Sequence, residues 1–163
     1  MFTLAERNIL IQKIREFPRK LEALIADIPA SDLVMSYLPG EWSIAQNVHH
    51  LADTHMNAFF RFKYILISDR PQISHFDQKN WARTIEATTA NIEDSLLILR
   101  GLHRRWCQLM ESVGESEWEK FGIHDQAGYI SLEDVLIAYV KHCDDHIKQI
   151  TETLDARERI TGA

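Results

Sequence analysis

Apolar positions recur with helical spacing in four segments of the chain. These segments run from about Leu4 to Asp27, from Ser43 to about Ile67, from about Asn91 to Val113 and from Ser131 to about Leu154. At roughly 100° per residue, the apolar side chains of each segment form one stripe, as in helices that pack into a core. In the second segment the stripe consists of Ile44, Val48, Leu51, His55, Phe59, Phe62 and Leu66.

Local signals predict where several of these helices begin. Ser43 followed by Gln46 is a capping box, in which the two residues satisfy each other's backbone N–H groups. Ser131 is the predicted cap of the last helix, and Asn91 is the predicted cap of the third. Within the first segment Pro18 lacks a backbone donor, so a kink or a break into two short helices is expected there.

The connections between the segments have no sustained period. Residues 68–90 read as a long crossing connection, and residues 115–130 read as a loop with a short helical turn around Glu117 to Lys120. No segment shows the alternation typical of a strand. The pattern therefore predicts an all-α fold, a four-helix bundle with a long connection between helices 2 and 3. Because no linker divides the sequence, residues 1–163 are predicted to form a single domain.

Composition and charge restrict the partners. The chain has 163 residues, of which 45% are hydrophobic, so it can bury a substantial core. A formal charge of −6 argues against nucleic acid or an anionic membrane as the main partner. The N-terminus lacks an uninterrupted apolar run, so a cytoplasmic location is expected. Cys107 and Cys143 fall in helical segments and are predicted to be reduced packing residues.

The imbalance of eight His over two Cys favours nitrogen ligands for any metal ion. His142 and His146 are spaced i, i+4 near the apolar stripe of the last helix, so both can bind one ion. An imidazole buried without a partner costs on the order of 1–3 kcal/mol, which a shared ion would offset. Hydrogen-bonded or half-exposed histidines are the alternative. Periodicity leaves the third ligand open among His49, His50, His55, His103 and His124.

Two motif regions resemble those of a known family. Residues 39–63, PGEWSIAQNVHHLADTHMNAFFRFK, and residues 142–150, HCDDHIKQI, are similar to the DinB/YfiT-like metalloenzymes. The similarity is nearest to the YfiT branch, which includes bacillithiol transferases, and it continues through residues 71–73, Asp77 and Trp81. This resemblance implies that His50, His142 and His146 bind one divalent metal ion. It also implies a possible homodimer.

The last motif departs from its usual form in that branch, Trp-His-x-x-His-His. Lys141 stands in place of the Trp, and Asp145 in place of the penultimate His. Both ligand positions are retained, so we expect a site with more polar or more open surroundings. Asp145, together with Asp53 and Asp144, is either a partner of a ligand imidazole or a surface charge.

A polar strip beside the apolar stripe of the second helix includes Asn57 and Arg61. One interpretation is a solvated face. The other is that both residues line a cleft beside the metal and hold a carboxylate-bearing substrate, because Arg presents a bidentate fork.

Three neutral imidazoles leave coordination positions open, as in catalytic sites, and they suit Zn²⁺ or Ni²⁺. The resemblance implies two chemistries. In one, a small thiol such as bacillithiol is activated for attack on an electrophile, which makes the protein an S-transferase. In the other, the metal activates water and the protein is a hydrolase. We favour thiol transfer, since no Glu stands next to the ligands as a general base. A further alternative is a non-catalytic metal-binding stress-response bundle.

Overall fold

The computed structural model describes residues 2–162. Its helices and strands are, in chain order, α1 (Leu4–Ile25), α2 (Ala30–Leu33), α3 (Ile44–Ile67), β1 (Gln72–Ile73), α4 (Gln78–Trp81), α5 (Glu93–Glu111), β2 (Phe121–His124), β3 (Gly128–Ser131) and α6 (Leu132–Thr161), with 3₁₀ turns at Glu86–Thr88 and Glu115–Glu119.

The long helices α1, α3, α5 and α6 form a four-helix bundle, which confirms the predicted fold class. Helices α1 and α3 each pack against both α5 and α6. The apolar stripes of all four helices meet in one core, whose largest fully buried side chain is Trp106. Burial of Phe62, Leu99 and Leu136 contributes about 2 kcal/mol for each side chain.

Capping chemistry sets the starts of two helices that position the site. The Ser43–Gln46 box at the start of α3 is present, and Ser131 forms a second box with Asp134 at the start of α6. The prediction for Asn91 was wrong: α5 begins at Glu93 after Ile92, with no side-chain cap. Acidic side chains in its first turn favour that start through the helix dipole.

The ends of the helices were predicted less well. Helix α1 runs unbroken through Pro18, so of the two predicted alternatives, a kink or a break into two helices, the break does not occur. Helix α6 continues past the expected end at Leu154 as far as Thr161, where Gly162 adopts a left-handed conformation with φ 72°. This glycine supplies a C-terminal stop that the apolar periodicity did not reveal.

A small sheet occupies part of the connections that were expected to be loop and crossing chain. Strands β2 and β3 form an antiparallel hairpin, and β1 pairs in parallel with β2. A Cβ atom at Gly122 would lie 2.9 Å from Ile73 Cγ1 and 3.0 Å from the Pro71 carbonyl oxygen. Glycine at this position therefore allows the close approach of β1.

Both cysteines are buried and free, as expected for packing residues. Burial raises the pKa of the Cys107 thiol to about 11 and raises that of Cys143 as well. Within residues 2–162, no helix has both the length and the apolar content needed to cross a bilayer.

Candidate metal centre

Three imidazoles from two helices meet at the edge of the bundle core. His50 lies on α3, and His142 and His146 lie one turn apart on α6. The Nε2 atom of His142 is 3.3 Å from His50 Nε2 and 3.1 Å from His146 Nε2. One nitrogen from each ring lies within 4.8 Å of the others. These three residues, which we call the cleft cluster, are those that the family resemblance implied, and α3 and α6 pack so as to bring them together.

Asn47 holds His146 in position. The Asn47 side-chain amide donates to the Ser43 carbonyl oxygen at 3.0 Å, which turns its Oδ1 atom toward His146. His146 Nδ1 lies 2.7 Å from that oxygen, which can only accept, so Nδ1 carries the proton. In the neutral ring, Nε2 of His146 is then an unprotonated lone pair directed at the other two histidines.

The other two rings also have partners behind them. The Thr54 hydroxyl, one turn further along α3, lies 3.2 Å from Nδ1 and 3.3 Å from Nε2 of His50. His142 Nδ1 lies 3.1 Å from Nε2 of His55, a fully buried residue on the opposite side of the ring. Such contacts orient metal-binding imidazoles in known sites.

Burial keeps the cleft cluster uncharged. Burial, assisted by neighbouring imidazoles, lowers the pKa of His50 to about 3 and that of His142 to about 2. Burial also lowers the pKa of His146 to about 4, although Asp145 acts in the opposite direction. The rings therefore present nitrogen lone pairs at neutral pH, as metal ligation requires. Converging lone pairs repel each other, and a cation between them would remove that repulsion, so the donor set fits a divalent ion.

The cleft cluster lies at one side of an open cleft of about 340 Å³. Trp42 packs on two of its rings, with centroid distances of 4.7 Å to His50 and 6.4 Å to His146. The side chains of Lys141 and Asp145 form an exposed ion pair with each other on α6. The residues lining the cleft are Gly40, Glu41, Trp42, His50, Gln78, His142, Asp145, His146 and Gln149.

Asn57 and Arg61 lie elsewhere along α3. The Arg61 guanidinium donates to the Ser74 carbonyl oxygen and lines a separate cavity of about 150 Å³ together with His124 and Tyr139. The Oδ1 atom of Asn57 is buried and has no hydrogen-bond partner. Neither residue lines the cleft of the three histidines. Their proposed role in substrate binding stays a prediction.

The remaining candidate ligands have other partners. His49 contacts the Ser95 hydroxyl at 2.8 Å and the Thr89 carbonyl oxygen at 3.1 Å. His124, in β2, accepts backbone N–H groups of the hairpin turn. His55 and His103, which we call the interior pair, bond to each other at 2.7 Å inside the core.

The hydrogen-bond partners of the cleft-cluster rings are not Asp53, Asp144 or Asp145, the carboxylates considered from the sequence. Among residues 2–162, the observed hydrogen-bond partners of the cleft-cluster rings outside the cluster are Asn47, Thr54 and His55. Partial burial and the nearby Glu86 carboxylate raise the pKa of Asp53 to about 6, and Asp144 is exposed. Sequence reasoning missed Asn47 and underrated His55. The available signal was a histidine on an otherwise apolar stripe, since such a ring needs a buried partner.

Comparison with known proteins relates the chain to one family. A sequence model of the DinB superfamily matches residues 13–150. The chain belongs to the DinB superfamily. Among its relatives, a Geobacillus thermodenitrificans protein named a candidate metal-dependent hydrolase is 41% identical over 141 residues, which cover 86% of this chain and 79% of the relative. The protein YfiT of Bacillus subtilis, named in the same way, is 38% identical over 148 residues, which cover 90% of this chain and 83% of YfiT.

A solved structure extends the family relationship to the whole fold. Superposition on Bacillus subtilis YfiT gives a TM-score of 0.91 at 34% identity, covering 99% of this chain and 91% of that one. That protein is described as a probable metal-dependent hydrolase with an unusual four-helix bundle topology. The bundle found here therefore has the topology of this DinB superfamily member.

Proposed function

We propose that this protein is a metal-dependent enzyme whose active centre is formed by His50, His142 and His146. We further propose that it is an S-transferase, which joins a small thiol of the bacillithiol type to an electrophile. The observation that carries the proposal is the convergence of three neutral Nε2 atoms beside an open cleft. A set of three imidazoles with an accessible face is typical of catalytic sites, whereas structural sites are closed by a fourth protein ligand.

The metal ion and the protein side chains have different roles in this proposal. When bound, a divalent ion such as Zn²⁺ or Ni²⁺ supplies the positive charge that lowers the pKa of a small nucleophile beside it. The three histidines hold that ion, and Asn47 and Thr54 keep two of the rings in place. Trp42 covers one side of the cluster and leaves the cleft side accessible to small molecules.

The cleft favours a thiol over water as the nucleophile. Its carboxylates are Glu41 and Asp145, and Asp145 is paired with Lys141. No carboxylate among the described residues hydrogen-bonds to a ring of the cleft cluster. A free thiol has a pKa of about 8.5, while that of bulk water is about 15.7. The thiol therefore needs far less assistance to lose its proton.

Asn57 and Arg61 are included in the proposal as binding residues for a carboxylate of the substrate. Arg61 is fixed by the Ser74 carbonyl, so its guanidinium is held at the edge of its cavity. The Cα atom of Arg61 lies roughly 16 Å along α3 from that of His50, given the helical rise per residue. An extended substrate would be needed to contact both places. A cytoplasmic location also belongs to this proposal, because small thiols are kept reduced there.

Hydrolysis is the second candidate function. The names of the relatives support it, as does the presence of Glu41 at the cleft, where a general base could act on water. A non-catalytic metal-binding bundle is the third candidate.

A thiol panel separates these functions. Protein loaded with Zn²⁺ or Ni²⁺ is incubated with a bromobimane-type electrophile and with bacillithiol, cysteine or glutathione, and conjugates are quantified. We expect metal-dependent conjugation that His142→Ala abolishes and that His49→Gln retains, because His49 does not contact the cleft cluster. Ester hydrolysis without thiol-dependent conjugation would replace the proposal with the hydrolase. Absence of both reactions would favour the non-catalytic bundle.

A further inference from the structure

A line of hydrogen bonds crosses the bundle and ends at the cleft cluster. His103 Nδ1 on α5 lies 2.6 Å from the Ile14 carbonyl oxygen on α1. His55 Nδ1 on α3 lies 2.7 Å from His103 Nε2, and His142 Nδ1 on α6 lies 3.1 Å from His55 Nε2. Each long helix therefore contributes one residue to the line, although α1 and α5 contribute none to the cleft cluster itself.

The carbonyl at one end determines the position of every proton. Because the Ile14 oxygen can only accept, His103 must carry its proton on Nδ1, and its Nε2 must accept. His55 then donates from Nδ1 and accepts at Nε2. His142 in turn must donate from Nδ1, which leaves its Nε2 unprotonated. That nitrogen is the one facing His50 and His146 at 3.3 Å and 3.1 Å.

Pro18 explains why this carbonyl is available. In an α-helix the oxygen of residue 14 would accept the N–H of residue 18, but proline has none. Helix α1 nevertheless continues through Pro18, and His103 supplies the missing donor. Phe17 stacks on both rings of the interior pair, with centroids 5.7 Å from His55 and 5.6 Å from His103.

These proton positions require neutral rings, and the surroundings of the interior pair provide this condition. His55 and His103 are 0% and 1% exposed. Their observed hydrogen-bond partners are other imidazoles and a backbone carbonyl, and none is a carboxylate. A charged imidazole in such a place is strongly unfavourable. Burial accordingly lowers the pKa of His103 to about 4.

We infer that His55 and His103 are positioning residues that set the tautomer of His142. Together with the Ile14 carbonyl they hold the His142 proton on Nδ1 and direct the Nε2 lone pair to the metal position. The functional role in this inference rests on the proposed metal centre. The tautomer itself is a property of the metal-free protein and can be measured without any metal.

The first test is NMR of the metal-free, ¹⁵N-labelled wild-type protein at pH 7.5. Long-range ¹H–¹⁵N correlations distinguish Nδ1–H from Nε2–H rings. We expect His55, His103 and His142 all to be Nδ1–H tautomers, and Zn²⁺ addition to shift His142 Nε2 while Nδ1 stays protonated. An Nε2–H tautomer at His55 or His142 would overturn the inference.

The second test compares two replacements of similar size. In His103→Gln the amide can accept from His55 and donate to Ile14, so the line is preserved; in His103→Leu it is broken. Competition with a chelator should show Zn²⁺ affinity reduced by about tenfold to a hundredfold in His103→Leu. Affinity in His103→Gln should stay closer to wild type, and the NMR tautomer of His142 should follow the same order.

His49→Gln is the matched control, since His49 is a buried histidine on α3 whose partners are Ser95 and Thr89. It should bind Zn²⁺ as the wild type does. Equal affinity in His103→Leu and His103→Gln would overturn the positioning role. If the wild type binds neither Zn²⁺ nor Ni²⁺, the proposed function fails, whereas the NMR of the metal-free protein still decides the tautomer.

Discussion

The cleft cluster and the interior pair are built from the same side chain but have different surroundings. In the interior pair each ring nitrogen is matched to a partner, either an imidazole or the Ile14 carbonyl. In the cleft cluster the nitrogens facing away from the cluster have partners, while three Nε2 atoms face one another beside open space. His146 is 5% exposed and His103 is 1% exposed, so burial alone does not distinguish the two groups.

The difference shows that the chemistry of a buried histidine depends on which of its nitrogens lacks a partner. A pair of histidines in which every ring nitrogen has a hydrogen-bond partner stabilises the bundle and orients the neighbouring ring. A cluster with unmatched lone pairs attracts a cation. Because His55 contacts His142, the interior pair sets the geometry of the cleft cluster.

The largest expected difference concerns metal binding. Replacing His50, His142 or His146 individually by Ala should abolish stoichiometric binding of Zn²⁺ or Ni²⁺, because two imidazoles cannot replace the three-ligand set. Elemental analysis after gel filtration measures the bound metal. His49→Gln should retain a full equivalent. Full retention of metal in any of the three alanine variants would refute the assignment of that residue.

Acid should destabilise the metal-free protein through the histidines of both the cleft cluster and the interior pair. An unfolded histidine has a pKa near 6.5, while burial lowers that of His103 to about 4. Below pH 6.5 the unfolded chain therefore binds protons that the folded chain does not bind. As a result, the free energy of unfolding decreases as the pH is lowered. For His103 alone the loss near pH 4 is roughly 3 kcal/mol.

Urea unfolding at pH 7.5 and pH 4 measures this loss. The decrease between the two pH values should be smaller in His103→Gln than in the wild type, because the variant lacks the titrating ring. His124→Gln offers a contrast, since His124 is not deeply buried and burial lowers its pKa less. An identical decrease in wild type and His103→Gln would contradict the claim that the interior pair is neutral by burial.

The smallest expected effect concerns Asn47. Asn47→Ala removes the acceptor of the His146 proton and should lower Zn²⁺ affinity by about tenfold, without changing the NMR tautomers of the interior pair. Gln46→Ala removes a neighbouring amide that bonds to Ser43 and Ala82, and serves as the control. If both variants bind Zn²⁺ equally well, Asn47 has no special role at the metal centre.

Local patterns were sufficient for the parts of the fold that depend on neighbouring residues. The starts of α3 and α6 were predicted because Ser43 and Ser131 cap their helices through residues only three positions away. The small sheet was missed because Ile73 pairs with His124, far along the chain, and the strands are short. Pro18 was expected to kink or break α1, but the helix continues and His103, on another helix, replaces the lost donor.

The sequence by itself determined the helical bundle, the pair His142 and His146 on one helix face, and, through family resemblance, His50 as their partner. Those features follow from periodicity, i, i+4 spacing and motif. The tertiary structure decided what lies behind each ring: Asn47 at His146, and the line through His55 and His103 at His142. Hydrogen bonds between helices depend on how the helices pack, which no local pattern of residues specifies.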